Sequence, residues 1–242
     1  MSGHSKWANI KHRKEKSDSK KGKVFTKIGR EIALVVKQGG PDPEANGKLR
    51  DAIAKAKAEN MPNDSITRSI KKAAGDADSA NYEEITYEGY GPGGVAVIVE
   101  AVTENRNRTA GDIRHLFDKN GGNMGTTGCV SFLFNKKGVL IILKETRPDA
   151  DEVMMEALEA GAEDIVELDE AYEIETSPEN FSNVRESLEK LGYAFETADM
   201  EMVPVTTVNL TDEKHIAAME KLIDSLDDHD DVQNVFHNYT NE

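Results

Sequence analysis

The 242-residue sequence predicts an α+β protein built from several small domains, and three observations lead there. Apolar residues recur at helical spacing through about residue 75, with no strand signal among them. Strand-length apolar runs then alternate with short amphipathic helices to the end of the chain. The composition, 38% hydrophobic, 31% charged and only 6% aromatic, suits small cores better than one large core.

From Asp18 to Gln38, Val24, Ile28, Ile32 and Val35 recur at i, i+4, i+8 and i+11. Lys20, Lys23, Lys27 and Arg30 fall on another face of the same helix, which therefore carries a core stripe and a cationic stripe. Gly39-Gly40-Pro41 stops it. A second helix fits Pro43 to Asn60, turning Leu49, Ala52, Ile53 and Ala56 inward, and Pro62 breaks it. Asn63 or Asp64 caps a third, whose face is Ile66, Ile70 and Ala73.

Gly75-Asp76-Ala77-Asp78-Ser79 reads as a linker, and after it the period changes. Ile85–Tyr90 and Val95–Thr103 read as strands joined by Gly91-Pro92-Gly93-Gly94, a hairpin signal. Thr109 and Asp112 have capping-box spacing ahead of Ile113, Leu116 and Phe117, and Asn120-Gly121-Gly122 ends that helix. Phe132–Phe134 and Val139–Leu143 read as another hairpin around Asn135-Lys136-Lys137-Gly138. Gly121–Gly128 is glycine-rich and reads as a domain crossing with an exposed, adaptable surface. An acidic helix over 151–160, closed by Gly161, precedes strands near 165–168 and 172–175. Ser177-Pro178 starts a helix through Phe181, Val184, Leu188 and Leu191, closed by Gly192. Strand-like 194–205 and 208–210, a helix from Asp212 to about Leu226 and a strand over 232–236 complete the chain. The economical topology has a basic arm and three-helix domain over 1–78, then two α+β domains of ferredoxin-like type. Residues 131–205 form the acidic one, inserted into the other, which comprises 79–130 plus 206–242.

Charge is divided along the chain. The first 30 residues hold ten Lys/Arg and two acids. Residues 1–76 carry 18 basic and 9 acidic side chains, a net +9; the rest carry 12 and 36, a net −24, giving −15 overall. Such a molecule approaches a polyanion basic end first. Lys6, Lys11, Arg13, Lys14, Lys16, Lys20, Lys21, Lys23, Lys27 and Arg30 are therefore expected to grip phosphates, and affinity should fall steeply with salt. Within the arm, His12 lies among these cations, and Trp7 either stacks on an exposed base or folds back onto the helices. Asn105-Arg106-Asn107-Arg108 sits ahead of a capped helix, where free amides and two guanidinium forks suit an anion. The competing reading pairs these arginines with carboxylates such as Glu104 and Asp112.

Other chemistries find no support. Gly89–Gly94 links two strands, so it is no dinucleotide loop, and Asp42 stands where a Walker loop needs glycine. Asp227, Asp228, His229, Asp230 and Asp231 read as a solvated helix end, since consecutive acids rarely converge on one ion. The histidines lack ligand spacing and Cys129 is alone, so no metal, cofactor or catalytic set is expected. No apolar run approaches the roughly 20 residues that span a bilayer. No small-molecule substrate is evident.

Gly3–Lys14, Gly22–Ile28, Tyr87–Gly94, Asn105–Thr109 and Gly121–Gly125 together closely resemble the YebC/PmpR family, in order along the chain. The acidic inserted part matches only in pattern. The resemblance implies a cytoplasmic bacterial protein of three domains, described as a DNA-binding transcriptional regulator. The similar mitochondrial translational activator of cytochrome c oxidase subunit I points to ribosomal RNA and the ribosome instead, easing translation of proline-rich stretches. The expectation is a non-enzymatic nucleic-acid-binding regulator, with DNA as first target and the ribosome as second, and an acidic domain left to face a protein partner.

Overall fold

The computed structural model describes residues 21–75 and 81–240. They gather into two compact units. One comprises Asp42–Thr67 and Lys136–Glu201 with the stretch ending at Phe25; the other comprises Thr26–Pro41, Arg68–Asn135 and Met202–Glu242. The expected α+β class is observed.

Helix α1 (Lys21–Gly39) buries Ile28, Ile32 and Val35, three of its four expected core positions, and Val24 is half-buried. Leu34 and Val36 are buried as well. Helix α2 (Gly47–Ala58) is shorter than expected because Asn46, not the Pro43 region, starts it: its side chain accepts the Leu49 N–H at 3.1 Å. Helix α3 (Asn63–Gly75) follows Pro62, whose carbonyl accepts the Ser65 and Ile66 amides.

The second-named unit is built on the sheet β3-β1-β2-β9: β1 (Glu83–Tyr90), β2 (Ala96–Thr103), β3 (Asn123–Met124) and β9 (Val232–His237). All its pairings are antiparallel. Strand β2 is interior, and its two faces meet separate cores. Val97, Val99 and Ala101 pack with Ile113 and Phe117 of α4 (Arg106–Lys119) and Met219, Leu222 and Leu226 of α7 (Glu213–Asp227). Ala96 and Ile98 pack with Val130, Phe134 and Phe236 on the other side. Burial on both faces is why this strand reads as a continuous apolar run. A short parallel pair, β8 (Val208–Asn209) with β10 (Tyr239–Thr240), lies outside that sheet.

The first-named unit holds the sheet β5-β6-β4-β7: β4 (Phe134–Leu143), β5 (Asp164–Glu167), β6 (Ala171–Thr176) and β7 (Thr197–Pro204). With α5 (Ala150–Ala160) and α6 (Phe181–Lys190), the order βαββαβ is the ferredoxin-like connectivity. Leu140, Ile142, Tyr172 and Ile174 face Val153, Ala157, Phe181, Val184 and Leu188. Helix α2 joins this unit through ion pairs. Buried Arg185 meets Asp51 and Glu189, Arg50 meets Glu186 at 2.8 Å, and Lys55 meets Asp199.

Two local readings are corrected. The expected hairpin around Asn135–Gly138 is one unbroken strand, β4. Gly138 is there for close approach rather than for a turn, since a Cβ would lie 2.5 Å from the Phe181 ring. The glycine-rich stretch after α4 is not merely a crossing. Met124 and Asn123 pair with Gly89 and Tyr90, and a Cβ on Gly89 would lie 2.6 Å from the Asn123 carbonyl oxygen.

Candidate nucleic-acid interface

In Asn105-Arg106-Asn107-Arg108 the first asparagine is the cap. Asn105 lies outside helical geometry (φ −140°), and its side chain accepts the Arg108 N–H at 3.1 Å. The next three residues are thus the first turn of α4 rather than a loop ahead of it, and Thr109 is not the cap. Arg106 and Asn107 are exposed at the positive end of the helix dipole. The Arg106 carbonyl accepts the Tyr87 hydroxyl at 3.4 Å, while its guanidinium makes no ion pair with the described residues.

Arg108 is engaged, though not with Glu104 or Asp112. Its Nη2 lies 3.2 Å from Oδ2 of Asp231, a residue only 3% exposed. Arg30 of α1 approaches Oδ1 of the same carboxylate at 2.8 Å and also donates to the Asp230 carbonyl. The Thr109 hydroxyl donates to Oδ2 at 2.7 Å. The Thr103 hydroxyl, 3.2 Å from Oδ2, accepts the Asn105 N–H at 2.9 Å. Burial alone would raise the Asp231 pKa. The Thr109 and Arg108 hydrogen bonds and the two guanidinium charges outweigh it and hold the carboxyl below its usual range. Nearby, His229 Nε2 lies 3.4 Å from Asp112.

The acidic run before β9 is therefore not uniformly solvated. Its last member is a buried hub joining α1, the end of β2 and the start of α4. Sequence reasoning missed Asp231, Thr103 and Thr109 because nothing local separates Asp231 from the acids beside it. Lys27 likewise turns to the protein, donating to the Asp227 carbonyl at 2.8 Å, and Arg30 lies 5.9 Å from the Tyr82 ring centroid. Lys23 is exposed.

Residues 5–76 match the family domain described as the TACO1/YebC protein N-terminal domain, and residues 82–239 match the TACO1/YebC second and third domain. The chain belongs to the TACO1/YebC family. It is 70% identical over 242 residues to a protein of Acetivibrio thermocellus, covering 100% of both chains. It is 63% identical to one of Caldicellulosiruptor saccharolyticus, again covering 100% of both. Each is named "Probable transcriptional regulatory protein". Its structure resembles the crystal structure of a conserved hypothetical protein from Aquifex aeolicus, with TM-score 0.84 and 45% identity over 93% of this chain and 92% of that one.

For this TACO1/YebC chain, Lys6, Trp7, Lys11, His12, Arg13, Lys14, Lys16 and Lys20 lie outside the described residues, as does the Lys21 side chain. Of the rest, the geometry brings Arg30, Asn105 and Arg108 together. A second carboxylate, unforeseen in the sequence, organises the neighbouring glycine-rich stretch. Buried Glu88 accepts the backbone N–H of Gly128 at 2.7 Å, Val130 at 2.9 Å and Ser131 at 2.8 Å. Burial again pushes its pKa up, and these three donors more than reverse it. Among the described residues no His/Cys/Asp/Glu group is arranged to hold a metal, and no helix is long and apolar enough to cross a membrane.

Proposed function

We propose that this chain is a non-enzymatic nucleic-acid-binding regulator of gene expression acting in the cytoplasm, with DNA as its first target. The observation that carries the reading is the division of charge, +9 over residues 1–76 against −24 over the remainder. A polyanion is attracted at one end and repelled by the other. The exposed Arg106 at a capped helix start and the half-exposed Arg108 would supply a second contact region, and the names given to the relatives support a role in regulation. Lys6 to Arg30 would supply the first contact region, with Lys27 and Arg30 also tied to the fold. The 1–78, 79–130 plus 206–242, and 131–205 division is proposed as the functional one.

One observation favours ribosomal RNA as the alternative target. The placed candidates are mostly Lys and Arg on two separate helices, suited to phosphates rather than to a set of base edges. Footprinting on promoter duplexes, run beside cosedimentation with ribosomes at rising salt, tests both forms. A sequence-selective footprint supports the DNA form. Salt-resistant ribosome association with sequence-indifferent DNA binding overturns it. Binding to neither, at low salt, overturns the whole reading.

A further inference from the structure

Between Arg147 and Arg185 the chain carries 13 Asp/Glu and not one Lys, Arg or His. Helix α5 stands in this stretch. Its inner side is small, Val153 and Ala157 buried with Ala150 and Ala160 packed beside them. Its outer side is not polar throughout: Met155 is 58% exposed and Leu158 57% exposed. Three residues apart, they are surface neighbours on one helix, with half-buried Met154 adjoining. Asp151, Glu152 and Glu159, all exposed, lie within one turn of them. More than half of each side chain is left to solvent, where polar residues would serve a helix face better.

We propose that the outer face of α5 is a docking surface for a basic amphipathic helix of a partner protein. Apolar side chains of that helix cover Met155 and Leu158, and its lysines and arginines meet the flanking carboxylates. Charge complementarity selects this occupant. A nucleic acid would be repelled by the carboxylates of Asp151, Glu152 and Glu159, and a second copy of α5 laid on this face would set acid against acid. Methionine beside leucine gives an adaptable contact.

The test uses the full chain and a fluorescent helical peptide made only of Leu and Lys at amphipathic spacing, with a Leu/Glu peptide as its counterpart. Anisotropy should report binding of the Leu/Lys peptide alone, weakening with salt. Met155→Gln with Leu158→Gln leaves the charge unchanged and should weaken it about tenfold. Glu152→Gln with Glu159→Gln, which keeps the apolar pair, should weaken it severalfold. Circular dichroism and melting of both variants should match the parent. Unchanged affinity in the Met155→Gln/Leu158→Gln variant would overturn the proposal, leaving only diffuse attraction to acidic charge. Concentration-dependent dimerisation abolished by that variant would overturn it too, since the occupant would then be a second copy.

Discussion

Asp231 sits in a run of acids, yet it alone of that run is buried under two guanidinium groups and two threonine hydroxyls. Removing it leaves half-buried Arg30 facing Thr103 and Thr109 without their common acceptor. Asp231→Ala should cost about 3–5 kcal/mol in urea unfolding. Its folded pKa lies below the unfolded value of about 3.9. The ionised group therefore stabilises above that unfolded value, and the contribution drains away as pH falls through it toward the lower folded pKa. Stability should drop from about pH 5 to about pH 3, and more shallowly in Asp231→Ala; parallel profiles for parent and variant would refute this role. Glu88 follows the same sign. Glu88→Gln keeps one acceptor oxygen of two, so hydrogen exchange at Gly128, Val130 and Ser131 should quicken, with about 1–3 kcal/mol lost.

Glycines in different elements should respond with opposite signs. Gly111 lies inside α4 with open space around a notional Cβ, so Gly111→Ala should raise stability by about 0.5–1 kcal/mol. Gly138→Ala would push a methyl into the Phe181 ring and should cost about 1–3 kcal/mol. Thermal melting of the two variants checks both, and shifts of the same sign would contradict the packing described. Element type was largely legible: α1, α5, α6, α7 and β2 fall where apolar spacing put them. The failures share one cause. Asn135–Gly138 has turn composition, and Thr109–Asp112 has capping spacing, but each was decided by what packs across it. Phe181 required a glycine in an extended strand, and Asp231 drew the Thr109 hydroxyl inward while Asn105 took the cap.

Across the whole molecule, charge sets how binding answers to ionic strength. Phosphate contacts release counterions, so log affinity should fall linearly with log salt, and Arg106→Gln should reduce that slope by about one. An unchanged slope would remove Arg106 from the interface, whatever the basic arm contributes. The class of fold, the polarity of its charge and its family were determined by the sequence itself, because periodicity, net charge and ordered motifs are properties of the chain read in one dimension. Which cations remain exposed was decided only by tertiary structure. Arg30 and Arg108 lie 78 positions apart in the chain, and both end on one carboxylate more than a hundred positions further on. A pairing of that kind depends on how strands and helices close on one another, and no local pattern of residues records it.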